Sequence, residues 1–303
     1  MKLIVEPEAG LAPILTAIKQ ARKHIDVLIF RLDRIELARA LQAAVARGVT
    51  VRALTAHTNR GGGKSLRKVE LQLLEEGVAV SRTADDLLRY HGKMMIVDER
   101  VLHIYGFNFT AIDFEKSRSF GVVTRNGKLV REAMKLFEAD FTRQPYMPGH
   151  PHLIISPENA RERLTTFIRG ARRELLIYDP KVSDEAILRE LQDRVKAGVE
   201  VKIIGKVDAK GDLKVEKYAG YRLHIRAIIR DGQRAFLGSQ SLRRVELEKR
   251  REIGVIIDEE QVVRQMHAVF EQDWAMTPTG RKEAKKAGKA EKKEEKVKLA
   301  AVS

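Results

Sequence analysis

Two short segments of the chain carry the same pattern of a histidine, a cation two residues later and an aspartate five residues after the cation. The pattern is formed by His91, Lys93 and Asp98 in the first segment and by His224, Arg226 and Asp231 in the second. In a strand, residues two apart project to one face, so each histidine is expected beside its cation. A cation beside an imidazole suits a phosphate group, and the six residues are the candidate catalytic set.

If the two segments meet, two imidazoles and two cations surround one small volume. One neutral imidazole would attack phosphorus and form a covalent phosphohistidine. The other, protonated, would give its proton to the departing alkoxide and later take one from water. Lys93, Arg226 and polar groups such as Asn108 would hold the non-bridging oxygens. Because these cations take the role of a metal, no metal or other cofactor is expected.

The sequence around the two segments is duplicated. From each histidine onwards the halves align without a gap, so that Glu115 falls opposite Glu248 and Gly121 opposite Gly254. Upstream, residues 46–51 match residues 196–201. Two copies of about 140 residues therefore fill the chain to about residue 276, and such twins usually pack around a pseudo-two-fold axis. The predicted organisation is a first half over 1–147, a second half over 148–279 and a tail over 280–303.

The pattern of apolar residues predicts helices alternating with strands in each half. Helices are predicted at 11–24, 34–47, 64–76, 131–141, 158–172, 184–197 and 260–273. Strands are predicted at 25–30, 49–55, 78–82, 93–98, 101–107, 119–124, 174–178, 199–204, 224–230, 234–238 and 252–257. Strands that alternate with helices and then form a hairpin-like pair indicate an α/β fold, with a mixed sheet flanked by helices in each half. The proline-rich stretch 144–157 marks the boundary.

Composition limits the alternatives. The chain has 303 residues, 44% of them hydrophobic, and no cysteine, which excludes disulfides and thiolate chemistry. The first ten residues lack a secretory apolar core, and no apolar stretch approaches 18 residues. We therefore expect a cytoplasmic protein, either free or peripheral at the inner membrane surface, and a monomer with an internal pseudo-dimer.

Part of the net charge of +15 lies in residues 280–298, which lack apolar periodicity. This segment is predicted to be a solvated tail, disordered or transiently helical, with contact to an anionic membrane or nucleic acid as its functional alternative. The remaining positive charge suits an anionic substrate. The glycine-rich stretch 60–65 lacks the first glycine of a phosphate-binding loop and is interpreted as a mobile turn before a helix.

The paired segments resemble the duplicated HxKxxxxD signature of the phospholipase D superfamily, over about 270 residues of this chain. The resemblance implies two α/β halves with one site at their interface, one histidine as nucleophile and the other as acid, and metal-free cleavage or exchange of phosphodiesters. The two segments, His91 to Asp98 and His224 to Asp231, are called the first and second box. The resemblance also implies substrate-orienting or phosphate-binding roles for residues downstream of the boxes: Asn108, Ser239, Ser241 and Glu252.

Several positions depart from the family pattern. Arg226 replaces a lysine, Ser241 stands where asparagine is usual, and Ser119 occupies the acidic position. Glu252 is therefore expected to orient His224, whereas His91 would lean on Asp113, Glu115 or a backbone carbonyl. The resemblance favours His91 as the nucleophile, but the expected carboxylate favours His224, so the assignment stays open at this point.

Asp98 and Asp231 are expected to anchor the strand and loop geometry. The remaining histidines show no spacing typical of metal ligands.

The sequence favours a phospholipase D-like hydrolase or transferase that acts on phospholipid head groups. A nuclease that cleaves DNA or RNA is the second interpretation, because the body of the chain is basic. A decayed anion-binding protein is the third, because several supporting positions have changed.

Overall fold

The computed structural model describes residues 1–57, 63–208, 212–218 and 220–287, with the side chains of residues 63–66 left out. The predicted glycine-rich turn at 60–65 therefore lies largely outside the described residues, as does the tail from 288 onwards. Residues 278–287 are helical, so the beginning of the predicted tail is ordered. Trp274 Nε1 donates to Glu283 Oε2 at 2.9 Å and holds this helix against the second half.

The first half contains these elements in chain order: β1 (Lys2–Glu6), α1 (Ala12–Gln20), β2 (His24–Ile29), α2 (Ile35–Ala46), β3 (Thr50–Thr55), α3 (Gly63–Glu75), β4 (Ala79–Arg82), β5 (Arg89–Tyr90), β6 (Met94–Val97), β7 (Val101–Tyr105), α4 (Ala111–Lys116), β8 (Ser117–Thr124) and α5 (Gly127–Thr142). The second half contains β9 (Leu153–Ser156), α6 (Ala160–Arg169), β10 (Glu174–Val182), α7 (Glu185–Lys196), β11 (Glu200–Val207), β12 (Lys214–Glu216), β13 (Arg222–Leu223), β14 (Ala227–Arg230), β15 (Arg234–Gly238), α8 (Arg244–Glu248), β16 (Arg250–Ile257) and α9 (Glu260–Ala275). The helix over 278–287 is α10.

Each half forms one mixed sheet. The first has the strand order β1-β8-β7-β6-β2-β3-β4, and the second has the order β12-β11-β10-β14-β15-β16 with β9 also paired to β16. In the parallel pairs β2 with β3 and β10 with β11, at least half of the residues of each strand are buried, as expected for strands covered on both faces. The predicted α/β fold with two equivalent halves is confirmed.

The duplication extends further upstream than the sequence interpretation placed it. β1 pairs antiparallel with β8, and β9 pairs in the same way with β16. These two strands, the short strands β5, β12 and β13, and the short helices α4 and α8 were not predicted. Each is short, so its apolar pattern is too brief to separate a strand or helix from a loop.

Two of these short strands connect the halves. β5 pairs in parallel with β16 of the second sheet, and β13 pairs in parallel with β8 of the first sheet. The larger apolar core is also shared, since Phe120 of the first half contacts Tyr178 of the second, edge to face, with the ring centroids 5.9 Å apart. The halves are therefore joined by backbone pairing as well as by apolar packing. The boundary predicted at 147/148 falls between α5 and β9.

No helix within the described ranges is long and apolar enough to cross a membrane.

Candidate active site

The two histidine boxes lie where the halves exchange strands. The predicted strands at 93–98 and 224–230 begin later than expected, at Met94 and Ala227, so each histidine and its cation precede a strand. At the histidines the backbone pairs with the other half, whereas the carbonyls of Lys93 and Arg226 still accept from Tyr105 N and Gly238 N of the neighbouring strands. His91 N and Gly92 N donate to Arg251 O at 2.7 and 3.1 Å, and His224 N donates to Arg118 O at 3.1 Å.

The first imidazole, His91, is buried between a carboxylate and an ammonium group. Its Nδ1 lies 2.9 Å from Glu252 Oε2, and Lys93 Nζ lies 2.8 Å from Nε2, 3.0 Å from Nδ1 and 2.7 Å from the His91 carbonyl oxygen. The Phe30 ring packs edge-on against the imidazole, with the centroids 4.5 Å apart. Glu252 and Lys93 are themselves almost completely inaccessible to solvent. The site around His91 is therefore dry and strongly charged.

These surroundings determine the charge of His91. Burial, and then the positive charges of Lys93 and Arg226, hold the pKa of His91 well below its ordinary value. Burial likewise holds the pKa of Lys93 well below its ordinary value, against the opposing effect of Glu252. A neutral His91 that donates Nδ1–H to Glu252 keeps the lone pair on Nε2, which is the arrangement required of a nucleophile.

The second imidazole, His224, has a different carboxylate. Its Nδ1 lies 2.7 Å from Asp113 Oδ1. Asp113 in turn accepts hydrogen bonds from Thr110 Oγ1 at 2.8 Å and Asn108 Nδ2 at 2.9 Å, and from the guanidinium of Arg222. With the backbone N–H of Asn108, which donates at 3.2 Å, four donors from three residues fix this carboxylate in place beside the imidazole.

Burial lowers the pKa of His224 to about 4, although Asp113 opposes this by favouring the protonated ring. Burial by itself raises the pKa of Asp113, but His224, Asn108 and Arg222 outweigh it and hold that pKa below its usual range. His224 is thus the imidazole whose proton affinity depends most directly on a neighbouring carboxylate.

The predicted pairing of histidines with carboxylates is wrong. Glu252 was expected beside His224, but it contacts His91 of the other half, and Asp113 contacts His224. The exchange follows from the strand pairing: β5 leads His91 onto β16, which carries Glu252, and β13 leads His224 onto β8. Glu115 was the other candidate for His91, but it pairs with Arg34 at 2.5 Å.

Asp113 is the functional residue that sequence reasoning placed beside the wrong histidine. At the position equivalent to Glu252, Ser119 carries no acid, and its Oγ donates to His224 O at 3.2 Å. Asp113 comes from α4, six residues earlier, and its side chain reaches the imidazole instead. The missing acid at Ser119 was the available signal, since it required a substitute carboxylate nearby.

The cation of the second box is held by its own half. Arg226 Nε donates to Ser241 Oγ at 3.2 Å, and its NH1 donates to His224 O at 3.2 Å. The Ser241 hydroxyl therefore orients the guanidinium. Asp179 lies below this pair and accepts from Leu242 N at 2.6 Å, and burial raises its pKa to about 6.

Ser239 and Asn108 orient carboxylates in this structure. Ser239 Oγ accepts from Ile253 N at 3.1 Å and helps to lower the pKa of Glu252, which burial raises. The amide of Asn108 donates to Asp113, and its Oδ1 is buried without a described partner. Direct phosphate binding by Asn108, Ser239 and Ser241 stays a prediction.

The aspartates of the two boxes lie at the opposite end of the strands. Asp98 accepts from the backbone N–H groups of residues 22–24 at 2.7–3.1 Å, and Asp231 accepts from those of residues 172–174 at 2.7–3.2 Å. Both have positive φ, 51° and 56°, at the turn that follows the strand. Each carboxylate therefore anchors the start of a central strand and is remote from the imidazoles.

Among the residues that the structure describes, no group of three or more histidine, aspartate or glutamate side chains could hold a metal ion.

A family model described as "Cardiolipin synthase, PLD-like domain" matches residues 14–141 and 164–274. Among curated proteins, the mitochondrial cardiolipin hydrolase of Homo sapiens is 30% identical over 131 residues, which is 43% of this chain and 50% of that protein. The mitochondrial cardiolipin hydrolase of Mus musculus is 28% identical over 131 residues, 43% of this chain and 58% of that protein. The chain thus spans about half the length of these curated relatives.

Among solved structures, polyphosphate kinase from Porphyromonas gingivalis aligns with a TM-score of 0.75 at 18% identity, over 89% of this chain and 46% of that one. Phosphatidylserine synthase from Haemophilus influenzae Rd KW20 aligns with a TM-score of 0.65 at 12% identity, over 90% of this chain and 84% of that one. These likenesses establish the fold.

Proposed function

The chain belongs to the phospholipase D superfamily, and from this premise we propose that it cleaves or exchanges phosphodiester bonds of phospholipid head groups through a phosphohistidine, without a metal ion. The observation that carries the proposal is the crossed arrangement of the site. Each buried histidine contacts a carboxylate of the other half, His91 with Glu252 and His224 with Asp113. The site is complete only when both halves contribute.

We assign the role of nucleophile to His91. Burial and cations keep this ring neutral, and Glu252 holds its Nδ1–H, so the Nε2 lone pair is available to attack phosphorus. The new N–P bond forms as the P–O bond to the leaving alkoxide breaks. Lys93, whose Nζ now lies at Nε2, would transfer its contact to a non-bridging oxygen when the substrate enters.

His224 is assigned as the acid and then the base. Asp113 favours its protonated form, and an anionic phosphodiester bound nearby raises the pKa of His224 further. Its proton goes to the departing alkoxide. A water molecule, or an acceptor alcohol in an exchange reaction, then loses a proton to His224 and attacks phosphorus, which breaks the N–P bond.

The charge that a metal would supply is available from side chains. Lys93 and Arg226 act on both imidazoles, and Arg250 lies close enough to influence His91. Lys93 and Arg226 beside one phosphate would offer the electrostatic stabilisation that phosphoryl transfer requires, while Arg250 pairs with Glu246 at 2.8 Å.

The surface beside the site supports a lipid substrate over a nucleic acid. Leu88 and Tyr221 precede the two histidines by three residues each and are 44% and 45% exposed, and Ile112, next to Asp113, is 48% exposed. Exposed apolar side chains so close in sequence to the site residues suit an interfacial substrate. The curated relatives named mitochondrial cardiolipin hydrolase point to the same class of substrate.

The nucleophile can be identified by trapping. With bis(p-nitrophenyl) phosphate the leaving group needs little acid, so His224→Ala should accumulate the covalent intermediate because the base for its hydrolysis is missing. After an alkaline quench, peptide mass spectrometry should place the adduct on His91, and His91→Ala should give none. An adduct on His224 of the wild type, or no adduct in any variant that turns over, would contradict the assignment.

Substrate class is tested with cardiolipin in vesicles and with a single-stranded oligodeoxynucleotide, both in the presence of EDTA. We expect cardiolipin to be converted to a phosphate monoester and an alcohol, and Leu88→Ser/Tyr221→Ser to lose this activity while keeping turnover of the soluble diester. Cleavage of the oligonucleotide alone would assign a nuclease instead.

A further inference from the structure

A large cavity lies on the first half, at the far end of the strand that begins at the active site. Its volume is about 1310 Å³, and its walls come from β1, α1, the β6–β7 turn and β7. We call it the α1 cavity. The first box leads from His91 at the active site to Asp98 in the cavity wall, and seven extended residues span about 20 Å. The α1 cavity is therefore separate from the catalytic centre.

The wall of the α1 cavity combines apolar and positively charged side chains. Its six cations are Lys2, Lys19, Arg22, Arg47, Arg100 and Arg125. Arg47 donates to the carbonyls of Ala43 and Ile18 at 3.0 Å each. The other five form no side-chain hydrogen bond or ion pair with any described residue. The acid in the wall, Asp98, is occupied by the backbone N–H groups of residues 22–24. The positive charge is thus not neutralised by the protein.

The second half shows that the fold does not require these cations. At the equivalent positions, Gln233 replaces Arg100, Asp258 replaces Arg125 and Ala197 replaces Arg47.

Two of the counterparts in the second half lie beside an acid. Arg169, the counterpart of Lys19, pairs with Glu190 at 2.9 Å, and His152, the counterpart of Lys2, lies 3.4 Å from Asp258. At these positions the second half therefore carries fewer unpaired cations than the first, with Arg172, the counterpart of Arg22, as a retained one.

A buried polar atom adds an independent observation. His103 lines the α1 cavity and is only 3% exposed, and its Nδ1 has no hydrogen-bond partner within the described part of the chain. Its counterpart in the second half is Phe236, which fits an apolar wall. This nitrogen is shielded from solvent, so only the remaining edge of the ring can face a ligand in the cavity.

We propose that the α1 cavity binds a ligand that carries phosphate groups. Five unpaired cations provide the charge, His103 provides a neutral hydrogen-bonding group inside the wall, and the apolar part of the wall, which includes Ile4 and Val123, accepts a neighbouring hydrocarbon portion. Free phosphate compounds and the head group of an anionic lipid share this chemistry. The site is independent of the proposed catalytic function, since none of its residues contacts either catalytic histidine.

The test uses the His103 ring as a reporter inside the cavity. The full-length protein with isotope-labelled histidine is titrated by NMR with pyrophosphate and, separately, with dihexanoyl phosphatidic acid below its micelle concentration. His103→Phe identifies the signal. We expect a saturable shift with at least one probe, and Arg100→Gln/Arg125→Asp, which copies the second half, should weaken the apparent Kd at least tenfold.

A charge-matched control distinguishes this site from general attraction. Arg131→Gln/Arg264→Asp changes the net charge equally, at exposed positions on α5 and α9 outside the cavity, and should leave the Kd unchanged. A response to pyrophosphate assigns free phosphate compounds as the source, and a response to the lipid alone assigns a head group. No shift of His103 with either probe, or equal weakening in both double variants, would overturn the proposal. Turnover of bis(p-nitrophenyl) phosphate, measured on the same samples, reports on the active site separately.

Discussion

Asp113 is the carboxylate that favours the protonated form of His224. It lies 2.7 Å from His224 Nδ1 and opposes the fall in the pKa of that ring caused by burial. Removing its charge should therefore lower the pKa of His224 further. The imidazole would then be protonated less often at neutral pH, and the acid step would slow.

We predict that Asp113→Asn lowers kcat/KM for a phosphodiester with a poor leaving group by about 10²-fold and moves the basic limb of its pH profile to lower pH. The measurement is a pH–rate profile of kcat/KM. Glu115→Gln is the matched control, because it removes an exposed carboxylate of the same helix that pairs with Arg34. An unshifted limb in Asp113→Asn would show that this carboxylate does not tune His224.

Each half has one pair of facing strand positions occupied by a glutamate and a serine, but the two residues are on opposite strands in the two halves. In the second half Ser156 faces Glu252, whereas in the first half Glu6 faces Ser119. Glu6 is buried, and burial raises its pKa to about 8, so it is uncharged at neutral pH. Glu6→Ser/Ser119→Glu would recreate the second-half pair below His224.

We expect this double substitution, added to Asp113→Ala, to raise turnover at least ten-fold above that of Asp113→Ala alone. The reason is that a carboxylate would again reach His224. Turnover of the triple variant is compared with Asp113→Ala alone and with Asp113→Ala/Glu6→Ser. Equal rates in the three proteins would mean that a carboxylate at position 119 of β8 does not reach the His224 imidazole.

His103 provides a pH-dependent contribution to stability. Burial lowers its pKa from 6.5 to about 4, so between these values the unfolded chain binds a proton that the folded chain does not. The free energy of unfolding therefore falls as the pH decreases through this window, by at most about 3 kcal/mol for one such group. In His103→Phe, Tm measured from pH 7 to pH 4 should fall less steeply than in the wild type. Equal slopes of Tm against pH in the two proteins would contradict the assignment of this pH-dependent contribution to His103.

Among the elements, the short strands β5 and β13 are the ones that join each half to the sheet of the other. Each extends the sheet of the opposite half and delivers a histidine to that half's supporting strand. The long helices and strands were predictable because their apolar periodicity persists over many residues. β5 and β13 have two residues each, and their partners are more than 100 residues away, so no local pattern reveals them. This is also why the sequence predicted the histidines and cations but placed the carboxylates beside the wrong rings.

Because β5 and β13 each pair with a strand of the other half, the two halves should stay together without the connection between α5 and β9. Met147 is 87% exposed, so a protease site inserted after it should be accessible. We predict that the cleaved protein elutes from a sizing column as one species of intact size and keeps its activity. The reason is that the pairs β5 with β16 and β13 with β8, and the apolar cluster shared by the halves, remain. Separation into two fragments in non-denaturing buffer would contradict this picture.

For the molecule as a whole, the duplication creates one composite site and then allows the copies to diverge. The internal repeat made the pseudo-two-fold arrangement predictable from the sequence, since two matched copies bury their equivalent surfaces together. The consequences of the differences between the halves were less predictable. Asp113 supplies the carboxylate that Ser119 lacks, and Arg47, Arg100 and Arg125 of the α1 cavity have no basic counterpart in the second half. Such differences become interpretable only once the positions are related through the fold.

The central claim is that both histidines act on one phosphodiester without a metal ion. Hydrolysis of bis(p-nitrophenyl) phosphate with EDTA present, by the wild type, His91→Ala, His224→Ala and the surface control His267→Ala, tests it most directly. We expect turnover in the wild type and the control, with each active-site variant reduced by at least about 10³-fold. Turnover near the wild-type rate in either active-site variant, or its loss in the wild type when EDTA is added, would contradict it.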